Sequence, residues 1–389
     1  MRLTFFGSSI VSAYWNGAAT YYRGLLRALA RHGHEVVFCE PDAFDRHAHR
    51  DLDEDPEYAR VRVYATAAER DDLVEEALAE SDWVIKCSGV GLWDRELETA
   101  VAGGGRARVA FWDVDAPATL AGMRTPEHEA LRALVPRFDH VFTYGGGPPV
   151  VEAYRALGAR ACDPVYNALD PEVHRREPAQ ARTPTWDVLF MGNRLPDRES
   201  RVEEFFIGPA RALPQCRFAL GGSGWEDREL PANVTRLGHV PTNEHNRINA
   251  AARLVLNIHR EPMVRNGWSP ATRMFEAAGS AACQITDVWE GIDTFFEPGH
   301  EILVAEDGDD VVRLIQRVPD REAQRIGRAA RDRALRDHTY ADRAAAVHRL
   351  LEGTSRGGEA GAGAEAGSAA EVRRGSGAGA VAAVEEVGP

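Results

Sequence analysis

The sequence predicts an α/β protein with two doubly wound, Rossmann-like parallel-sheet domains facing a cleft and a disordered C-terminal tail. Three observations predict it. Short runs rich in Val, Ile and Phe alternate with stretches whose apolar residues recur at three and four, as expected for strands buried on both faces with helices packed on them. The alternation runs from residue 2 to about 170, then starts again after a polar, proline-containing segment. At 389 residues the chain also exceeds what one compact core usually holds.

The first series places strands at Leu3–Phe6, Glu35–Cys39, Val61–Tyr64, Trp83–Cys87, Val109–Trp112 and His140–Thr143. Helical periodicity appears in Ala18, Tyr22, Leu25, Leu26 and Leu29 before Gly33, in Leu73, Ala77 and Leu78, and in Val150, Val151, Tyr154 and Leu157 before Gly158. This gives a first domain over 1–173 and a linker over 174–185. The second domain, 186–338, has strands at Val188–Met191, Arg217–Leu220, Val234–Leu237, Leu254–Ile258, Cys283–Thr286 and Ile302–Val304. Helices are expected over 201–210 and 244–252, then over 308–318 and 320–336, with a C-terminal helix over 339–352. The tail 353–389 is Gly, Ala, Glu and Ser with a few Val, too few large apolar groups to offset its ordering entropy.

The totals exclude several functions. A net charge of −14 does not suit a protein that coats nucleic acid. Lys86 is the only lysine, an arginine skew that fits a GC-rich bacterial genome. The five cysteines are scattered without a CxxC, as for buried thiols in a reducing cytosol. MRLTFFGSS is too short an apolar start for a signal peptide, and no run approaches the roughly 18 apolar residues of a membrane span. The expected location is cytoplasmic. The first turn, GSSIVSAYWNG, has no GxGxxG, which argues against a dehydrogenase, and no P-loop motif is present. DxD pairs are background in so acidic a chain, and His239/His245 lack ligand spacing, so neither a metal nor another cofactor is expected.

Ligands on doubly wound sheets bind where strands end and helices begin. Three first-domain turns qualify: Gly7 and Ser8 through Asn16 and Gly17, the Asp113/Asp115 turn, and Gly145–Gly146 ahead of Pro148. In the second domain Gly192 and Asn193 lead into Arg194 and Arg198, whose planar forks suit a diphosphate. Loops with Gly222 and with His239 and Val240 can read a flat base edge. The stretch Asn266 to Val304 is the centre of the site. There Ser269 reads as an N-cap and Pro270 as the first residue of a helix whose free amides would receive an anion. Glu276, deeper in that helix, suits a pair of sugar hydroxyls.

Together these features resemble GT-B glycosyltransferases of the retaining, group 1 kind, and most closely their CgeB-like branch. The resemblance rests on SPATRMFEAAGSAACQITDVWEGIDTFFEPGHEILV, with NALDP, GNRLPDRE and LGHVP at matching places. It implies a nucleotide-sugar donor in the second domain and an unknown acceptor at the first, with no nucleic-acid partner and no metal. Glu276 would hold the ribose. Gly267, Ser269, Pro270, Ala271, Thr272 and Arg273 would lie by the diphosphate or donor sugar, and the Gly238–Val240 loop would flank the base. Charge developing on the leaving diphosphate would be met by Arg194 and Arg198; with inversion, Asp113 or Asp115 would be the base. Tyr14, Trp15, Tyr21 and Tyr22 near the first helix are candidates for an acceptor surface, with core packing the equal alternative for the two tyrosines. One position departs from the group 1 pattern: eight residues before Glu276, where a second glutamate is usual, stands Trp268. Two other readings share this fold, a sugar-nucleotide epimerase or phosphorylase and a non-catalytic binding or surface-assembly protein.

Overall fold

The computed structural model describes residues 1–356 apart from 15, 53, 126–128 and 177–183. Trp15, most of the linker and the tail from residue 357 lie outside the described residues. The first sheet has seven strands: β1 (Arg2–Phe6), β2 (Glu35–Pro41), β3 (Arg60–Tyr64), β4 (Trp83–Cys87), β5 (Arg108–Asp113), β6 (His140–Thr143) and β7 (Cys162–Pro164). Their spatial order is β3-β2-β1-β4-β5-β6-β7. The second has six: β8 (Trp186–Met191), β9 (Phe218–Gly221), β10 (Val234–Gly238), β11 (Ala252–Asn257), β12 (Cys283–Asp287) and β13 (Leu303–Ala305), in the order β10-β9-β8-β11-β12-β13.

Every pairing is parallel. The strand order therefore reverses beside the first strand of each sheet, between β1 and β4 and between β8 and β11, and leaves a crevice at the C-terminal strand ends. The inner strands form because their Val, Ile, Leu and Phe side chains are covered on both faces, and Leu3, Val84, Val188 and Leu254 are all fully buried, whereas the edge strands β3 and β10 are partly exposed. The strand β7 was not expected, since three residues carry too little pattern. The helix expected over 201–210 runs from Glu199 to Ala212 and includes a π-helical turn at Glu203–Ile207.

The C-terminal helix, Tyr340–Arg356, leaves the second sheet and packs against the first-sheet helix Ala19–Arg31. Gly24 makes this possible, because a Cβ there would stand 2.2 Å from the Tyr340 ring. The chain thus crosses between the sheets twice, side by side. Leu169 N donates to His338 O at 2.8 Å and Tyr340 N donates to Leu169 O at 3.1 Å. No described helix is long and apolar enough to cross a membrane.

Candidate active site

Chemistry-bearing side chains gather at the C-terminal edge of the second sheet, where the strand order reverses between β8 and β11. The loops leaving β8, β9 and β10 are laced by their own backbones: Gly192 N donates to Gly221 O (2.9 Å), Gly222 N to Gly238 O (2.7 Å) and Arg194 N to Ser223 O (2.9 Å). Asn193 Oδ1 accepts from Ser223 N at 3.0 Å. Gly222 has φ +120°, and a Cβ there would meet Gly192 O at 2.3 Å, so only glycine allows this contact. His239 is exposed on the third loop, and Val240 is half-buried.

Two arginines share one aromatic face here. Arg198, 4% exposed, lies 5.5 Å from the centre of the Phe190 ring, and the half-buried Arg273 lies 5.9 Å from the same centre. Arg198 Nη2 donates to Asn193 O, while its buried Nε has no partner. Arg273 Nη1 donates to Asn257 Oδ1 (3.1 Å) and Ile258 O (3.3 Å). Among the described residues neither guanidinium has a carboxylate within 4 Å. Burial, with repulsion from Arg273 and Arg260, pulls Arg198 down to about 9. Burial likewise lowers Arg273, against the pull of Glu276 and Asp287.

The neighbouring arginines are placed differently. Arg194 pairs with Glu199 (2.6 Å) and Asp227 (3.0 Å). Arg201 pairs with the buried Asp287 at 2.8 Å, whose other oxygen lies 2.7 Å from His259 Nδ1. Arg260 spans the two sheets, with Nε 2.7 Å from Asp197 Oδ2 and Nη1 3.1 Å from Asp115 Oδ2.

Glu276 is 7% exposed on the helix Thr272–Gly279. Its Oε2 lies 3.3 Å from His245 Nδ1 and its Oε1 3.6 Å from His174 Nε2. Burial alone would raise its pKa, but His174, His245 and Arg273 more than offset this and hold it at about 2.

Asp113 and Asp115, two residues apart, have different surroundings. Asp113 is fully buried at the end of β5 and saturated: Oδ1 accepts from Ser88 Oγ (2.8 Å), Thr119 Oγ1 (2.8 Å) and Asp115 N (3.0 Å), and Oδ2 from Tyr154 OH (2.5 Å). Asp115 offers Oδ2 to Arg260, and its Oδ1 is buried without a partner. Burial raises its pKa, and Arg260 opposes the rise.

On the first sheet, the turn after β1 is closed by its own side chains. Ser8 Oγ donates to Asn16 Oδ1 (3.0 Å), and Asn16 Nδ2 donates to Ser9 O (2.8 Å) and Ser12 O (3.1 Å). Gly7 lies under the Phe38 ring, and Gly17 is exposed. Tyr21 and Tyr22 are core residues, each 1% exposed, whereas Tyr14 is exposed and stacks on His49 with centroids 4.1 Å apart.

The turn Gly145–Gly146 meets the second domain directly. Gly146 N donates to Trp268 O at 2.7 Å, Asn266 Nδ2 donates to Gly146 O at 3.1 Å, and a Cβ on Gly145 would stand 3.1 Å from Ser269 Oγ. Trp268, at φ +40°, is seated between Gly147 and Gly291.

These contacts correct the expected helix start at Ser269-Pro270. The helix begins at Thr272 with Ala271 as its N-cap, and no side chain caps it. Ser269 Oγ donates back to Gly267 O (2.9 Å), Pro270 O accepts from Asn167 Nδ2 (2.9 Å), and Thr272 Oγ1 donates to Asn167 Oδ1 (3.0 Å). Bonds to the first domain hold this segment out of the helix, with Ala271 in extended backbone, so the first helical turn forms two residues later than the Ser-Pro signal implies.

Asn257, His259, Arg260, Asp287, His174 and His245 were not foreseen as part of this constellation. A usable signal was LNIHR, polar and charged residues immediately after a buried strand that turns out to flank the switch point. A groove of about 730 Å³ along Val74, Leu78 and Ala100 lies at the opposite, N-terminal end of β5 and takes no part in the site.

Residues 198–349 match the family described as Glycosyl transferase-like. Sucrose-phosphate synthase from Thermosynechococcus elongatus superposes with a TM-score of 0.66 at 13% identity, covering 91% of this chain and 98% of that one. The chain has the GT-B fold. Two further solved structures are similar in fold. Anabaena HepE, solved with UDP and glucose, gives 0.62 at 14% identity over 91% of this chain and 100% of that one. The β-glucosyltransferase of T4 phage, solved with UDP-glucose, gives 0.59 at 14% over 90% and 100%. No curated protein matches the sequence.

Proposed function

We propose that this GT-B chain is a glycosyltransferase that takes a sugar from a nucleotide donor of the UDP-sugar class and passes it to an acceptor at the first sheet. The observation that carries the reading is the Arg198–Arg273 pair, two guanidiniums packed on one ring without a carboxylate. Concentrating unpaired cations in low dielectric is costly unless an anion arrives to share them. A diphosphate bound there would neutralise both and gain stabilisation as charge develops on the leaving group, so transfer needs no metal.

Glu276, kept ionised, would accept the ribose hydroxyls, and the Gly222 and Gly238–Val240 loops would lie along the base. Arg194, already paired with two acids, is secondary to Arg198 in this assignment. The similarity over 269–304 supports membership of the CgeB-like branch and transfer with retention, in which the leaving phosphate takes the acceptor proton. A second reading is inversion, favoured by the unpartnered Asp115 Oδ1. Asp113, with its oxygens occupied by four donors, is not a base in either scheme.

A thermal-shift screen tests the proposal, since a ligand that binds only the folded state raises the unfolding temperature by mass action. Stabilisation by UDP and UDP-sugars at micromolar to millimolar concentration is expected. No response to any nucleoside diphosphate would refute it.

A further inference from the structure

His245 is the first residue of the helix His245–Ala250, just beyond the Gly238–Val240 loop. Its ring faces two oxygens: Nε2 is in hydrogen-bond contact with Val240 O at 3.2 Å, and Nδ1 lies 3.3 Å from Glu276 Oε2, within ion-pair distance but not aligned as a hydrogen bond. A carbonyl and a carboxylate can only accept, so both nitrogens must carry a proton for both contacts to be attractive. A neutral imidazole has one proton and would turn a bare lone pair toward one of these oxygens. We infer that His245 is a positioning residue for the donor, its imidazolium fastening the ribose-side carboxylate of Glu276 to the base-side loop through Val240.

The surroundings support the doubly protonated ring. The other groups near the pair are His174, whose ring is stacked 5.8 Å from that of His245, Arg273 and Tyr340, which both interact with Glu276, and Asp170, which interacts with His174. Burial lowers the pKa of His174, against the pull of Glu276 and Asp170. Glu276 raises the pKa of His245 against its burial. Asn246, the next residue, anchors the same helix to the crossover chain. It accepts from Arg175 N (3.1 Å) and Ser280 Oγ (3.2 Å) and donates to Val173 O (2.8 Å). These bonds tie the helix that carries His245 to the crossover chain.

The inference rests on the reading of Glu276 as a donor-site carboxylate. UDP binding is measured by calorimetry from pH 6.5 to 8.5 in EDTA, for wild type and for His245→Gln and His245→Leu. Wild type is expected to lose about tenfold in affinity as pH rises through this histidine's elevated pKa. That sign is opposite to the effect of the nucleotide's own phosphate, which gains charge with rising pH. His245→Gln, an amide donor at all pH values, is expected to bind with no pH step, and His245→Leu to bind at least tenfold more weakly than wild type at pH 6.5. A flat wild-type profile, the same step surviving in His245→Gln, or affinity restored only by adding Zn²⁺ would overturn the inference while leaving the donor site intact. Absence of UDP binding in wild type at every pH would remove the donor site and this inference with it.

Discussion

Replacing Arg198 with Met should raise stability and weaken ligand binding at once. In the unliganded protein this guanidinium is buried beside Arg273 and Arg260 with no acid within ion-pair distance. Each tenfold change in acidity is worth about 1.4 kcal/mol, so the pull from the ordinary guanidinium value to about 9 sets a ceiling of about 5 kcal/mol on the strain. Losing the hydrogen bond to Asn193 O and the stacking on Phe190 returns part of this, about 1.5–3 kcal/mol for a charged donor. A methionine of similar length should therefore stabilise the protein by about 1–3 kcal/mol, raising Tm by about 2–8 °C. The same change should weaken UDP binding by about 1.5–3 kcal/mol, or roughly 10- to 150-fold. Urea denaturation and calorimetry measure the two quantities independently. A variant that is less stable yet binds UDP normally would show that Arg198 serves the fold, and the proposed diphosphate site would fall.

Three other outcomes follow from the geometry. Asp115→Asn should keep UDP affinity within about twofold; turnover should fall by about 10²- to 10⁴-fold if Asp115 is the base of an inverting reaction, and change little if the reaction retains configuration. Gly147→Ala places a Cβ 2.5 Å from the Trp268 ring at φ +47° and should cost about 1–3 kcal/mol in denaturation experiments. His338, buried between Arg343 and Arg333, is pulled down to about 4, first by burial and then by those cations. Below pH 6.5 the unfolded chain takes up a proton that the folded site refuses. This site should therefore take up to about 3 kcal/mol from the stability between pH 6.5 and 4, and His338→Gln should be less pH-sensitive than wild type by that amount, the remaining slope coming from His34, which burial also pulls down to about 4.

The architecture was legible because buried parallel strands carry an unusually plain signal. Runs such as Trp83–Cys87 and Leu254–Ile258 are apolar on both faces, and each expected strand appears at nearly its expected bounds. What escaped was set by tertiary contacts. Ser269-Pro270 is a sound helix start on local grounds, but Asn167 bonds to Pro270 O and Thr272 and holds the segment out of the helix. The return of Tyr340–Arg356 to the first sheet depends on the gap above Gly24, which no periodicity encodes.

The site was legible in part. The sequence singled out Glu276 and the turn holding both Arg194 and Arg198. It could not tell the two arginines apart, because the distinction lies in Glu199 and Asp227 being within reach of one and not the other. Asp113 and Asp115 were equivalent as letters; in the fold, one is sealed by Ser88, Thr119 and Tyr154 while the other meets Arg260 across the sheets. His174 and His245 are separated from Glu276 by 102 and 31 residues, so no local pattern could have joined them.

The central claim is that a nucleotide donor lies with its diphosphate on Arg198 and Arg273 and its ribose on Glu276. A crystal structure of the protein with UDP tests it most directly. The account predicts phosphate oxygens within hydrogen-bond distance of both guanidiniums, about 2.7–3.2 Å, and the ribose hydroxyls on the Glu276 carboxylate. UDP bound elsewhere, or bound here with its diphosphate on Arg194 and Arg198 and Arg273 untouched, would contradict it.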